Sequence, residues 1–374
     1  MKEKKSGQKI RNASKSFHTG FTLVELLIGS TILLVVVLAS LSLYRTSNKI
    51  AVDQQQFTEI QHDVRTAMYF ITRDVRQTGA GLPTEFYGYV LEGVDNEAQG
   101  GAVDPDRLKL LGNLDDPLNM TVSNYQGAAA NLTVEDWSFE RNPYPDEFYD
   151  GMVVIILPNP DSGCRLGEVR EITHVTHNAD GTNERFNFSP GLAPFINPPG
   201  GLSGTCPDSN DYDGGMLSFV NVKEYWLDVT GNYPGLTAGE RGYIGNGEGG
   251  ILYLNHNGIQ FPLARNVENL QFQYNGDADN DGLLDGFTDW QASWTGDIDL
   301  VSRIRQVRIW VLGRTPNPYV SIGANVPANL HLYRRPDVAN SPQSSQDDRH
   351  RRFLLESTAN ARNLSLNMYN SGTR

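Results

Sequence analysis

Along the first eighty residues the spacing of the apolar positions changes character. Leu26 to Leu43, LLIGSTILLVVVLASLSL, contains no charged residue. At ~1.5 Å of rise per residue such a run is just long enough to cross a hydrocarbon core. From Arg45 to Gln77 the apolar side chains thin to Phe57, Ile60, Val64, Ala67 or Met68, Ile71 and Val75, steps of three and four that draw one stripe along a helix. Asp53, Glu59, Asp63, Arg65, Arg73, Asp74 and Arg76 read as the opposite, polar face. Gly79, Gly81 and Pro83 then give a stop signal. One helix from about Phe21 to Thr78 is predicted, reaching roughly 85 Å at the standard rise. Its first half, 21–44, is expected to lie in a membrane, and its amphipathic half, 45–80, to pack on a globular head.

Beyond residue 81 the pattern shortens. The segment 81–374 is rich in Gly, Pro, Asn and Asp, and its apolar residues come in short runs that suggest antiparallel strands joined by long loops. GMVVIIL at 151–157 suits a buried strand, and EVREITHVTH at 168–177 alternates, as do MLSFVNVKEYWLDV from Met216 and GILYLN from Gly250. In VENLQFQY, Leu270, Phe272 and Tyr274 share one face, with Asn269, Gln271 and Gln273 on the other. In RIRQVRIWV, Val307, Ile309 and Val311 oppose Gln306, Arg308 and Trp310. The expected fold is α+β, a long N-terminal helix packed on a mainly antiparallel sheet, with a head large enough to bury a full core.

Charge fixes the direction of the apolar run. Residues 1–20 hold five Lys, one Arg and one Glu, and such a flank stays on the cytoplasmic side, so everything after Tyr44 is expected to be exported. A cleaved secretory signal has a shorter apolar stretch, followed by a small-x-small site. Neither that reading nor a plain anchor accounts for Glu25, a carboxylate at the near end of an apolar segment that is costly unless paired.

The basic leader, then Gly20, Phe21, Thr22, Leu23, Val24, Glu25 and the apolar helix resemble the class III signal of type IV pilins and type II secretion pseudopilins. The resemblance implies that a prepilin peptidase cuts between Gly20 and Phe21, that Phe21 is N-methylated, and that Glu25 meets the N-terminal amine of a neighbouring subunit on assembly. Removing a leader with six positive charges and one negative takes the net charge from −13 to −18, which gives no general affinity for phosphate backbones. RDVRQTGAGLP, VENLQFQY followed by Trp290, RIRQVRIWVLG and RRFLLESTANARNLSL resemble the large minor pilins of the PilW type, with the minor pseudopilin J of type II secretion as nearest rival. The resemblance implies a subunit of pilus assembly, at or near the tip, held in the inner membrane by one pass with a periplasmic head before it joins the fibre at the cell surface. Implied partners are other minor and major pilins, the prepilin peptidase, the inner-membrane assembly platform and a tip adhesin. The alternative function is a pseudopilus driving protein export.

Two local features add chemistry. Cys164 and Cys206 lie in turn-like sequence of the exported part, where an oxidising compartment permits a disulfide; two unpaired thiols are the other reading. In DADNDGLLDG, Asp277, Asp279 and Asp281 fall at positions 1, 3 and 5 of a calcium loop, Gly282 at the sharp turn, the Leu283 carbonyl at 7 and Asp285 at 9. Position 12 is Thr288 where an EF-hand has Glu, with Asp289 one residue later, and a strand rather than a helix enters the loop. An acidic solvated turn is the alternative to calcium. If the ion binds, it is expected to order the loop and to let Trp290 and Trp294 dock on the head. His174 and His177, three apart on a strand, point to opposite faces, and GYIGNGEGG at 242–250 lacks the P-loop pattern. No enzyme active site is expected.

Overall fold

In the computed structural model the described residues are 20–82, 86–87, 90–95, 105–112, 120–126, 130–135, 150–165, 167–177, 183–189, 209–229, 250–295, 297–318, 332–341, 347–361 and 363. The chain divides into two units, Met1–Asp53 and Gln54–Arg374. The long helix α1, Leu23–Gln77, has its first part in one and its second in the other.

In the first unit every residue from Leu23 to Tyr44 is exposed, the apolar ones included. Thr22 caps α1: Glu25 accepts hydrogen bonds from the Thr22 backbone N–H at 2.9 Å and its hydroxyl at 3.0 Å, and the Glu25 N–H donates back to Thr22 Oγ1 at 3.3 Å. This is a capping box, which satisfies two of the amides that a helix start leaves without partners.

The second unit is built on a sheet of 14 strands among the described residues. In chain order its strands are β1 (Phe86–Tyr87), β2 (Leu91–Val94), β3 (Arg107–Gly112), β4 (Met120–Gln126), β5 (Asn131–Glu135), β6 (Val153–Leu157), β7 (Gly167–Glu171), β8 (His174–His177), β9 (Asn183–Asn187), β10 (Met216–Asp228), β11 (Gly250–His256), β12 (Ile259–Gly276), β13 (Ile304–Arg314) and β16 (Arg352–Asn360). A short pair, β14 (Tyr333–Arg334) and β15 (Asp347–Asp348), stands apart, and the one-turn helix α2, Ile298–Ser302, precedes β13. The main path runs β16-β13-β12-β11-β10-β4-β5-β9-β8. All pairs in the large sheet are antiparallel except β1 with β7. The α+β class expected from the sequence is therefore what the chain adopts.

β10 joins two cores. Its first residues pair with β4 and β6, and its last with β3 and β11. The larger core gathers Ile60, Val64, Ala67, Met68, Ile71 and Val75 of α1 with Leu270 and Phe272 of β12 and Val307, Ile309 and Val311 of β13. Full burial of each such side chain contributes about 1.5–3 kcal/mol. Gly313 sets how close the helix comes: a Cβ there would lie 2.5 Å from Ile60 Cγ2 and 2.7 Å from Val64 Cγ2. The second core holds Val122, Leu132, Val134, Val154, Ile156, Phe186 and Leu217. α1 ends as expected, with Gly79 and Gly81 in the left-handed region at φ 76° and 74°.

Two expectations change, and two further polar sets prove buried. Asp74 is not on the solvated face but buried against the sheet, because Lys223 and Tyr225 of β10 supply partners. The run 168–177 is two strands rather than one: β7 pairs with β1 and β6, and β8 with β9, the change of neighbour falling at Ile172 and Thr173. Glu168 and Arg170 are buried and pair with each other. Asn269 and Gln271, the polar side of β12, are fully buried as well.

Candidate functional site

The acidic loop leaves the end of β12 and is closed at its base by Tyr274 and Thr288, which exchange backbone hydrogen bonds of 2.8 and 2.9 Å. Within it the carboxylates fold the backbone around themselves. Asp277 accepts from the Asp281 and Gly282 amides, both at 2.9 Å, and Asp285 accepts from the Ala278 amide at 2.6 Å. Asn280 and Gly282 take positive φ, 62° and 87°, which turns the chain sharply enough for alternate residues to converge. One oxygen from each of Asp277, Asp279 and Asp285 lies within 4.8 Å of the others. Hard oxygen donors in a curled loop suit calcium.

The other members of the expected ligand set are placed differently. Asp281 accepts from the Leu283 amide at 2.8 Å, and Leu283 exposes its side chain. Asp289 accepts from Gln273 Nε2 at 2.9 Å on the strand side of the loop. Cations also attend the loop: Arg303 donates to the Ala278 carbonyl at 3.0 Å, and the Arg305 guanidinium feels Asp277, although burial dominates and lowers its pKa.

The residues after the loop pack inward. Trp290 meets Tyr274 edge-on at 5.1 Å and Trp294 at 5.4 Å, and Trp294 also meets Tyr274 at 6.2 Å. Tyr274 is fully buried, which together with the carboxylates of Asp106, Asp95 and Glu92 raises its pKa. This cluster belongs to the larger core, so the loop is rooted in the same packing that holds α1.

Two anchors tie α1 and β16 to that core. Asp74 accepts from Arg73 Nε at 2.8 Å and from the Tyr225 hydroxyl at 2.5 Å, and lies 3.2 Å from Lys223 Nζ. Burial and the adjacent carboxylate both push the Tyr225 hydroxyl pKa up. At the start of β16, Arg352 reaches Glu268 through Nε at 2.6 Å and Nη2 at 3.1 Å, and Asp348 through Nη2 at 2.6 Å and Nη1 at 2.8 Å. The Arg352 pKa rises through these hydrogen bonds, with burial acting the other way. Beside them the Arg351 guanidinium lies 3.9 Å from the Phe57 ring centroid. Sequence reading missed both anchors, since partners so far apart in the chain give no local signal. It also missed the cap on Glu25, although Thr22-x-x-Glu25 is legible as a capping box.

The remaining expected sites divide by whether they are described. Gly20 and Phe21 are exposed ahead of α1, and the leader 1–19 lies outside the described residues. Cys164 packs partly buried against the second core, while Cys206 lies outside the described residues. The side chain of His174 is exposed near Asp150.

An apolar helix long enough to cross a membrane, continuous with a helix packed on an antiparallel sheet, fits a membrane-anchored helix-and-sheet protein. Comparison adds a family likeness: residues 254–363 match the model of PilW, Type IV Pilus-assembly protein W, which agrees with the PilW-type resemblance and supports involvement in type IV pilus assembly. No curated protein and no solved structure matches the chain. The matched span contains the acidic loop, the aromatic cluster and the Glu268–Arg352–Asp348 anchor.

Proposed function

We propose that this chain is a minor pilin subunit, cut after Gly20, methylated at Phe21 and carried into a type IV pilus by α1, at or near the tip. The observation that supports this reading best is the segment Leu26–Leu43, which buries nothing within its own chain. Such a surface is satisfied first by lipid and then by neighbouring helices. Glu25 is held by Thr22 before assembly and exchanges that cap for the amine of a neighbour on assembly. The partners are other pilins, the prepilin peptidase, the assembly platform of the inner membrane and a tip adhesin. A minor pseudopilin of type II secretion shares the leader logic and is the second reading. The chain's role in the first reading is assembly and binding.

Two further features belong to this proposal. Calcium joins Asp277, Asp279 and Asp285, with Asp281, the Leu283 carbonyl and Asp289 completing the set as the loop tightens, and it stiffens the loop on its aromatic root. Cys164 pairs with Cys206 once the head is exported. Deleting the gene and restoring it with Glu25→Ala tests the main reading: loss of pili or twitching, with secretion intact, is the expected result. Lost secretion with pili intact would move the chain to the pseudopilus.

A further inference from the structure

The sheet ends unevenly. β16 is a terminal strand of nine residues, paired with β13 from Gln306↔Asn360 to Arg314↔Arg352 without a register shift. Among the described residues no strand pairs with its outer side. The other terminal strands there are β8 and β2, four residues each, and β1, two.

Long regular edges are templates for strand addition, and proteins usually blunt them with proline, lysine, a bulge or a short length. β16, RFLLESTAN, has none of these, and its one arginine is held by Glu268 and Asp348. Its outward residues are Leu354, Glu356, Thr358 and Asn360, all exposed. Glu356 is loosely held: Arg308 Nε stands 3.6 Å from its Oε1, while the same guanidinium lies 3.7 Å from the Phe287 ring centroid.

We propose that the outer edge of β16, unpaired among the described residues, accepts an extended strand from a different polypeptide, one that sets lysine or arginine opposite Glu356. The charge selects a different chain over a second copy. Antiparallel pairing of β16 with itself over its full length would bring Glu356 against Glu356, and like charges directly opposite destabilise a pair. A partner with a cation there satisfies Glu356, while its backbone fills the open edge. The proposal does not require that the partner be a pilin.

Photo-crosslinking of the full chain in its own cells tests it. Benzoylphenylalanine replaces Thr358 in one strain and Leu33 in another, the latter reporting assembly through α1. From Thr358 the expected adduct is a strand-patterned segment of another protein carrying Lys or Arg, its yield falling about threefold in Glu356→Lys and less in Glu356→Gln. Thermal melting of both variants checks that the head stays folded. Adducts to a second copy, to a helical segment, or of unchanged yield in Glu356→Lys would overturn the proposal. So would no adduct from Thr358 while Leu33 captures pilus subunits, a result that leaves the pilus reading standing. An adduct from Thr358 with none from Leu33 would do the reverse.

Discussion

The two ends of the head are held together in different ways. At one end β12, β13 and β16 run for 18, 11 and 9 residues, and α1 lies across them. At the other, β4 to β9 are each 4 to 7 residues long and enclose the smaller core without the helix. The first end carries the acidic loop, the aromatic cluster and two charged anchors, and the match to the pilus-assembly family falls there. The second has at its centre one buried ion pair, Glu168 with Arg170 at 3.1 Å, and the Tyr212 hydroxyl donating to Glu168 at 3.2 Å. The contrast teaches where the packing partners sit: the helix and the charged anchors go with the long strands, and the short strands close a smaller core by themselves.

The largest expected effect attacks the base. Asp74→Ala leaves the buried Tyr225 hydroxyl and the half-buried Lys223 ammonium without their acceptor, and breaking a buried pair costs about 3–5 kcal/mol. Chemical denaturation should show that loss, and Asp74→Asn should recover part of it. At the other end Cys164→Ser should cost about 2–4 kcal/mol if the pairing with Cys206 holds. Peptide mapping without reductant should show the two cysteines linked; two unlinked peptides would remove that proposal.

Calcium sharpens the comparison on the base alone. At a concentration a hundredfold above its dissociation constant the ion should stabilise by about 2.7 kcal/mol, shift the fluorescence of Trp290 and Trp294, and do neither in Asp279→Ala. An unchanged melting temperature and binding isotherm would leave the loop an acidic solvated turn.

A pH-dependent effect concerns the second core. Burial pushes Glu168 up to about 7, with Arg170 and the Tyr212 hydroxyl acting against it. A carboxyl whose folded pKa lies above its unfolded value binds more protons when folded, so stability falls as pH rises from about 4.5 to about 7. Glu168→Gln should flatten that slope in a pH series of melting curves, while Asp74→Ala should leave it in place.

Legibility followed the same division. The stripe on α1, the alternating strands from Met216 onward, and the turn residues of the acidic loop were readable because each is a local pattern of spacing. Asp74 reads as part of a polar face because a charged residue looks solvated until its partner is known, and it finds Tyr225 151 residues away in the chain. Asn269 and Gln271 misled for a related reason, since the alternation in β12 separates two faces but does not say that both are covered. The glutamate at the head of the apolar helix was legible as a puzzle, and its cap by Thr22 is half of the answer.

The other half, as proposed, is assembly, and the intact mass of the N-terminus tests it most directly. Expressed with and without the prepilin peptidase, the chain should begin at N-methylated Phe21 only when the enzyme is present. A chain that keeps Met1 in both cases, or is cut beyond Leu43, would contradict a pilin role and leave α1 an ordinary anchor or signal.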